Sequence, residues 1–89
     1  MPRKVADTLK ELEEIAAKKE IKISYESIGG ELGAGGLCKV KGQWRCIVDK
    51  RATDGGKTTV IATALARFSL DDLFMSEDTR AFIGRHAKA

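Results

Sequence analysis

The first pattern along the chain is an alternation of apolar and charged positions at helical spacing. Over residues 4–20, one side of the predicted helix carries Lys10, Glu11, Glu13, Glu14 and Lys18. The apolar positions, which recur three and four residues apart, are Val5, Leu9, Leu12, Ile15 and Ala16. This spacing predicts an amphipathic helix with one face toward a core. Residues 21–26 then alternate apolar and polar side chains, which predicts a half-buried strand.

A β-hairpin is predicted in the middle of the chain. Two apolar-rich segments, residues 37–40 and 44–49, flank a connection at 41–43 that contains glycine. A three-residue turn there pairs Cys38 with Cys46, and this pairing allows a cross-strand disulfide if the protein is oxidised. The same pairing places alternate residues on one face, which is predicted to face the core. These residues are Cys38, Val40, Trp44, Cys46 and Val48.

The C-terminal part of the chain predicts further helices. Thr53 or Asp54 can cap a helix over residues 57–68. Ser69 is predicted to begin a short helical turn, and Ser76 to cap a last helix. The side chains predicted to face the core are Ile61, Ala64, Leu65, Phe68, Phe82 and Ile83.

Together these elements predict one α+β domain over residues 1–89. It has an N-terminal helix, a three-stranded antiparallel sheet that includes the hairpin, and two or three C-terminal helices. The composition, 43% hydrophobic and 33% charged, is that of a globular chain. No apolar run is long enough to cross a membrane, and the first residues lack the apolar segment of a signal peptide. We therefore expect a cytoplasmic protein with no membrane association.

The glycine-rich segment at residues 27–36 is the first candidate binding site. It contains five glycines, and backbone amides freed around Gly29, Gly30 and Gly33 can bind an anion. However, Glu31 would repel a phosphate, and no helical pattern follows to complete a phosphate site. The alternative is a hinge that lets the first strand meet the hairpin, and the sequence leaves both interpretations open.

Basic residues of the hairpin and the following loop form the second candidate site. The candidates are Lys39, Lys41, Arg45, Arg51 and Lys57. Such a cluster can contact a phosphate backbone or another anionic ligand. The segment around Lys57 resembles a phosphate-binding loop, but Arg51 stands where that motif requires glycine. Because Trp44 is predicted to face the core, it is not available to stack on bases, and a solvated basic face is the simpler alternative.

Cys38 and Cys46 raise a third hypothesis, a small thiol-redox or metal-binding protein. Their spacing matches neither a CxxC motif nor a zinc knuckle, and His86 is the only histidine. Reduced cysteine is also a common core residue. We therefore predict no metal site, no cofactor and no catalytic residues, although the sequence does not decide whether the chain is an enzyme.

The hairpin and the helix after it are similar to the core of the ImmA/IrrE family of zincin-like metallopeptidases. In that family a strand of Ile-Val-Asp type leads through a polar connection to a helix that bears His-Glu-x-x-His. Here the strand reads Arg-Cys-Ile-Val-Asp at residues 45–49, and the helix reads Val-Ile-Ala-Thr-Ala-Leu-Ala-Arg at 60–67. The resemblance implies that Thr63 and Arg67 stand at the histidine positions and Ala64 at the glutamate position. None of these side chains can ligate zinc or activate water as the motif requires.

The leading hypothesis for function is a non-catalytic protein-interaction or regulatory module of a bacterial cytoplasm. Residues 35–42 are also similar to small bacterial proteins of about this length, which implies no activity. A core this small gains from association, so we expect a homodimer or a protein partner. Apolar material for such a contact is present at residues 74–75 and 82–83. Nucleic acid is the less favoured partner.

Overall fold

The structure is a computed structural model that describes residues 4–27 and 35–87. Its elements in chain order are α1 (Val5–Lys18), β1 (Ile21–Glu26), β2 (Gly35–Val40), β3 (Gln43–Asp49), α2 (Asp54–Leu65) and α3 (Glu77–Arg85). The α+β class is confirmed, with two helices in the C-terminal part. The segment after Ser69, predicted as a short helical turn, forms a single turn in which the Leu73 amide donates to the Leu70 carbonyl over 3.1 Å.

The sheet is mixed, so the prediction of a purely antiparallel sheet is wrong. The strand order is β1-β3-β2, with β2 antiparallel and β1 parallel to the central β3. The two hairpin strands pair antiparallel, as predicted. The error concerns β1, which runs parallel to its neighbour β3. The long connection between β1 and β2 permits this, because β2 can lie on the far side of β3.

The hairpin turn has two residues, and this corrects the predicted register. Lys41 has φ 52° and Gly42 has φ 80°, the positive values that a type I′ turn requires at both central positions. Val40 therefore pairs with Gln43, which shifts the whole ladder by one residue. Because side chains alternate along a strand, a shift of one residue moves Cys38 and Val40 to the face opposite Cys46. The predicted core face is wrong for these two residues.

The same register separates the two cysteines. Cys38 lies opposite Arg45, and Cys46 lies opposite Leu37. Both cysteines are free thiols, and they belong to opposite faces of the sheet. The cross-strand pairing that would have allowed a disulfide is therefore wrong.

The core lies between one face of the sheet and the helices α1 and α2. Both helices contact the sheet on the side of Ile21, Cys46 and Val48, and they also contact each other. The buried apolar residues are Leu12, Ile15, Ala16, Ile21, Cys46, Val48, Ile61, Ala62, Ala64, Leu65, Leu70 and Ile83. The predicted helical stripes are thus confirmed over most of their length, although Val5 is 47% exposed.

The Glu11 carboxylate of α1 binds the N-terminal end of α3. Glu11 accepts hydrogen bonds from the Ser76 amide at 2.8 Å, the Ser76 hydroxyl at 3.0 Å and the Thr79 hydroxyl at 2.7 Å. Ser76 is also the N-cap of α3, as predicted, because its hydroxyl accepts from the Thr79 amide at 3.2 Å. A carboxylate at this position also interacts favourably with the positive end of the helix.

Candidate functional site

The candidate site is the outer edge of β1, which no described strand covers. The Lys50 amide donates to the Glu26 carbonyl over 2.9 Å, so the backbone of Glu26 faces β3. Backbone groups alternate in direction along a parallel ladder. The amides and carbonyls of Ile23 and Tyr25 therefore face away from β3. Among the described residues, none donates to or accepts from these outward groups.

A groove of about 560 Å³ runs beside this edge, between β1 and the C-terminal half of α1. Its walls combine apolar side chains with two carboxylates, from α1 and the following turn, and with Lys22 on the side of β1. The lining residues are Glu13, Ala17, Glu20, Ile21, Lys22, Ile23, Tyr25 and Gln43. The groove therefore has a strand edge on one side and a mixed apolar and acidic wall on the other.

Tyr25 connects the strand edge to the wall of the groove. Its hydroxyl donates a hydrogen bond to the Glu13 carboxylate, and the Lys57 ammonium lies 5.4 Å from the centre of its ring. Burial, followed by the hydrogen bond and the charge of Glu13, raises the pKa of the Tyr25 phenol above its usual value. The phenol therefore stays protonated at neutral pH and donates to Glu13 without competition from ionisation.

Glu20, at the end of the groove, has a backbone conformation that is unusual for its residue type. Its φ is 60°, in the left-handed region where helix C-termini usually place glycine. Its carbonyl accepts a hydrogen bond of 2.6 Å from the Gln43 side chain, which ties this turn to the start of β3. Conformational strain of this kind persists where the surrounding structure holds it, and it is enriched at functional sites.

The conformation of Glu20 leads to a stability prediction. Glu20→Gly should raise the free energy of unfolding by about 0.5 kcal/mol, since relief of left-handed strain outweighs the added flexibility of the unfolded chain. Urea denaturation of both proteins measures the difference. Lys19→Gly is the matched control, because the φ of Lys19 is −92° and glycine relieves nothing there. An equal or larger gain for Lys19→Gly would contradict the interpretation.

Three of the predicted basic residues project in different directions. Lys39 lies on the helix-covered face, with its ammonium 5.3 Å from the centre of the Trp44 ring. Trp44 in turn packs edge to face on Phe68, with ring centres 5.4 Å apart. Arg45 lies on the opposite face of the sheet, and Lys41 is in the hairpin turn.

The remaining predicted basic residues lie beyond β3. The Arg51 amide donates to the Asp49 carboxylate at 2.9 Å, and its guanidinium Nε is 4.0 Å from the same carboxylate. Lys57 lies in α2, over the ring of Tyr25. The described basic candidates are therefore not brought together at one point. The role of these residues in anion binding stays a prediction, and Gly29, Gly30 and Gly33 lie outside the described residues.

The environment of Cys46 makes its thiol unreactive. The side chain is 1% exposed. Burial, followed by the charge of the nearby Cys38, raises the pKa of the Cys46 thiol from 9.0 to about 11. The thiolate is the reactive form, so Cys46 is protonated and inert at neutral pH. Cys38 is half-buried on the other face.

The raised pKa of Cys46 predicts how stability depends on pH. The unfolded chain releases this thiol proton near pH 9, whereas the folded protein holds it until about pH 11. This contribution to stability is therefore complete below pH 9 and is lost as the pH rises toward 11. Urea denaturation across this range should show a shallower fall for Cys46→Val than for the unaltered protein. Identical slopes would mean that Cys46 does not titrate differently in the two states.

Residues 74–75 and 82–83, which were predicted to supply apolar contacts, differ in how far they are exposed. Phe74 is 81% exposed, and Met75 is half-buried. Ile83 is buried in the core, while Phe82 packs on His86 with ring centres 4.7 Å apart. Of these residues, only Phe74 presents a largely exposed apolar side chain.

Sequence reasoning did not find the groove or its residues. Glu13, Glu20 and Tyr25 carry no motif, and their proximity depends on which strand pairs with β1. The amphipathic pattern of α1 was visible in the sequence, but it does not show that the described strands leave the sheet edge beside the helix unpaired.

Comparisons of the chain with protein-family models, with curated proteins and with solved structures found no match. The resemblance to the metallopeptidase core therefore stays a prediction. Thr63 is exposed and donates to the Thr59 carbonyl at 2.7 Å, Ala64 is buried, and Arg67 lies beyond the end of α2. Within residues 4–27 and 35–87, no cluster of three or more histidine, cysteine, aspartate or glutamate side chains could hold a metal ion. None of the helices in these ranges is long and apolar enough to span a membrane.

Proposed function

We propose that the chain is a non-catalytic protein-interaction module that binds an extended segment of a partner protein along β1. The observation that carries this proposal is the pair of outward-facing backbone positions at Ile23 and Tyr25 beside the groove. An edge strand with free amides and carbonyls is a template for adding another strand. Many peptide-binding domains use this mode, with backbone hydrogen bonds for affinity and neighbouring pockets for specificity.

The walls of the groove define the chemistry of the partner segment. Side chains of an added strand alternate between the two faces of the sheet. Those on the helix-covered side meet the apolar surface of Ala17 and Ile23 and the carboxylates of Glu13 and Glu20. Lysine or arginine suits these positions, because its stem packs on apolar surface while its charge reaches a carboxylate. We therefore expect a basic extended segment.

The alternative functions have less support from the geometry. Anion binding by the hairpin needs several basic groups to converge, and Lys39 and Arg45 lie on opposite faces of the sheet. Thiol-redox chemistry needs a reactive pair, and Cys46 is buried and protonated on the face opposite Cys38.

The proposal is tested with heptapeptides in which valine alternates with lysine, glutamine or glutamate. All three have a similar tendency to extend, so they differ mainly in charge. We expect affinity to fall in the order lysine, glutamine, glutamate, with about a tenfold loss between the first and last. Backbone amide shifts in an NMR titration should cluster on β1 and the C-terminal half of α1. The proposal fails if none of the three peptides binds, or if the shifts map elsewhere.

A further inference from the structure

The face of the sheet that points away from α1 and α2 is a second surface, which shares only Lys22 and Gln43 with the residues that line the groove. We call it the open sheet face. Its residues, which alternate with those that face the helices, are Lys22, Ser24, Glu26, Cys38, Val40, Gln43, Arg45, Ile47 and Asp49. Cys38 and Ile47 are half-buried, and Val40 is 42% exposed. The described helices pack on the other side.

Charges on the open sheet face are separated along the strands. The register places Lys22 beside Arg45 near one end and Glu26 beside Asp49 near the other. Ile47 lies midway between the two charged rows. The face therefore has a basic end, an apolar centre and an acidic end.

Arg45 has a polar atom without a partner. Its Nε is buried and makes no hydrogen bond, and no described carboxylate forms an ion pair with the guanidinium. A carboxylate of another chain can therefore pair with the guanidinium without displacing a described carboxylate.

We propose that a second copy of the chain binds this face, packed face to face with its strands antiparallel. The twofold axis crosses the strands at the level of Ile47. This arrangement brings Arg45 to the second copy's Asp49 and Lys22 to the second copy's Glu26, and the same two pairs form again by symmetry. Ile47 packs on the second copy's Ile47 at the centre.

The charge pattern favours this arrangement over the other face-to-face dimer that twofold symmetry allows. An axis that runs along β3 would place Arg45 against the second copy's Arg45 and Asp49 against its Asp49. Like charges in contact are unfavourable, whereas the proposed axis pairs every charge in the two rows with its opposite. The sequence predicted Arg45 as one of a set of basic residues, and the register places Asp49 on the same face.

The size of the face sets the strength of the contact. Three strands of six or seven residues cover roughly 20 by 14 Å, less than the ~800 Å² per partner of a standard interface. We therefore expect a reversible dimer with a dissociation constant on the order of 100 µM.

Two complementary charge reversals test the dimer. Arg45→Asp and Asp49→Arg each place like charges across the interface twice, so each protein should associate at least about tenfold more weakly than the unaltered chain. An equimolar mixture should restore association, because the heterodimer contains both opposite-charge pairs. Sedimentation equilibrium measures all three samples. Arg67→Asp makes the same charge change away from the open sheet face and should leave association unchanged.

A second pair of charge-reversal variants controls for loss of folding in the first pair. Asp49 also accepts from the Arg51 amide, so its replacement could disturb the following loop. Lys22→Glu and Glu26→Lys are exposed, and they should show the same loss alone and the same recovery when mixed. The proposal is overturned if the unaltered chain stays monomeric at millimolar concentration. It is equally overturned if the single variants dimerise normally, or if neither mixture restores association.

The dimer and the edge site can be tested independently. Peptide binding at β1 should persist in the Arg45→Asp protein, since Arg45 does not line the groove. Loss of the dimer with intact peptide binding would therefore remove only the second proposal.

Discussion

Leu12→Ala should lower the free energy of unfolding by about 3–4 kcal/mol, because truncation of a buried leucine leaves a cavity that the neighbouring side chains fill only partly. The Leu12 side chain is 0% exposed and lies on α1, where that helix packs on α2 and the sheet. A domain of this length has a total stability on the order of 4–13 kcal/mol. The variant should therefore be close to unfolding at 37 °C, which thermal denaturation followed by circular dichroism measures.

Leu9→Ala is the matched control for this prediction. Leu9 lies on the same helix but is only half-buried, so the same change removes fewer contacts. We expect a loss of about 1–2 kcal/mol at this position. Equal losses at the two positions would contradict the placement of the core between α1, α2 and β3.

Glu11→Ala should lower the free energy of unfolding by about 2–3 kcal/mol and release α3 from α1. The substitution removes the acceptor of three hydrogen bonds, and bonds to a charged group contribute more than neutral ones. Thr79, which is 0% exposed, keeps one hydroxyl partner in Ser76, and this limits the loss. Hydrogen exchange should accelerate throughout α3 more than in the sheet.

Two variants separate the role of this carboxylate from that of helix propensity. Glu14→Ala changes an exposed glutamate on the same helix and should alter stability by less than about 0.5 kcal/mol. Glu11→Gln keeps an oxygen acceptor but loses the charge, so we expect an intermediate effect. If Glu11→Ala were as mild as Glu14→Ala, the carboxylate would not be what holds α3 in place.

The helices could be predicted from the sequence because their stability depends on a local pattern. The spacing of Leu12, Ile15 and Ala16 identified the buried face of α1, and the hydroxyl of Ser76 identified the start of α3. Each of these signals acts within one or two helical turns. The helices begin and end at residues that differ from the predicted ones, but their buried faces are largely those predicted.

The hairpin register could not be predicted with the same certainty, because it depends on one backbone choice. Two-residue and three-residue turns both fit a glycine at position 42. Lys41 adopts a positive φ, which is uncommon for lysine, and this selects the shorter turn. A slip of one residue then exchanges the faces of Cys38 and Val40. As a result, the sequence did not show which residues lie on the open sheet face.

The candidate site depends on strand order, which the local patterns of a single sequence do not reveal. The groove exists because β3 takes the centre of the sheet and leaves β1 at the edge. An apolar and polar alternation identifies a strand but not its neighbours. Tyr25 and Glu13 therefore looked like ordinary residues of a half-buried strand and an amphipathic helix.

The most direct test of the central claim compares two substitutions at Tyr25. Tyr25→Ala and Tyr25→Pro both remove the side chain, but only proline also removes the outward-facing amide. The valine–lysine heptapeptide should bind the alanine variant with a modest loss and the proline variant at least about tenfold more weakly. Both proteins must first give the circular dichroism spectrum of the unaltered chain. Equal affinity for the two variants would contradict strand addition at β1, since the Tyr25 amide would then play no part in binding.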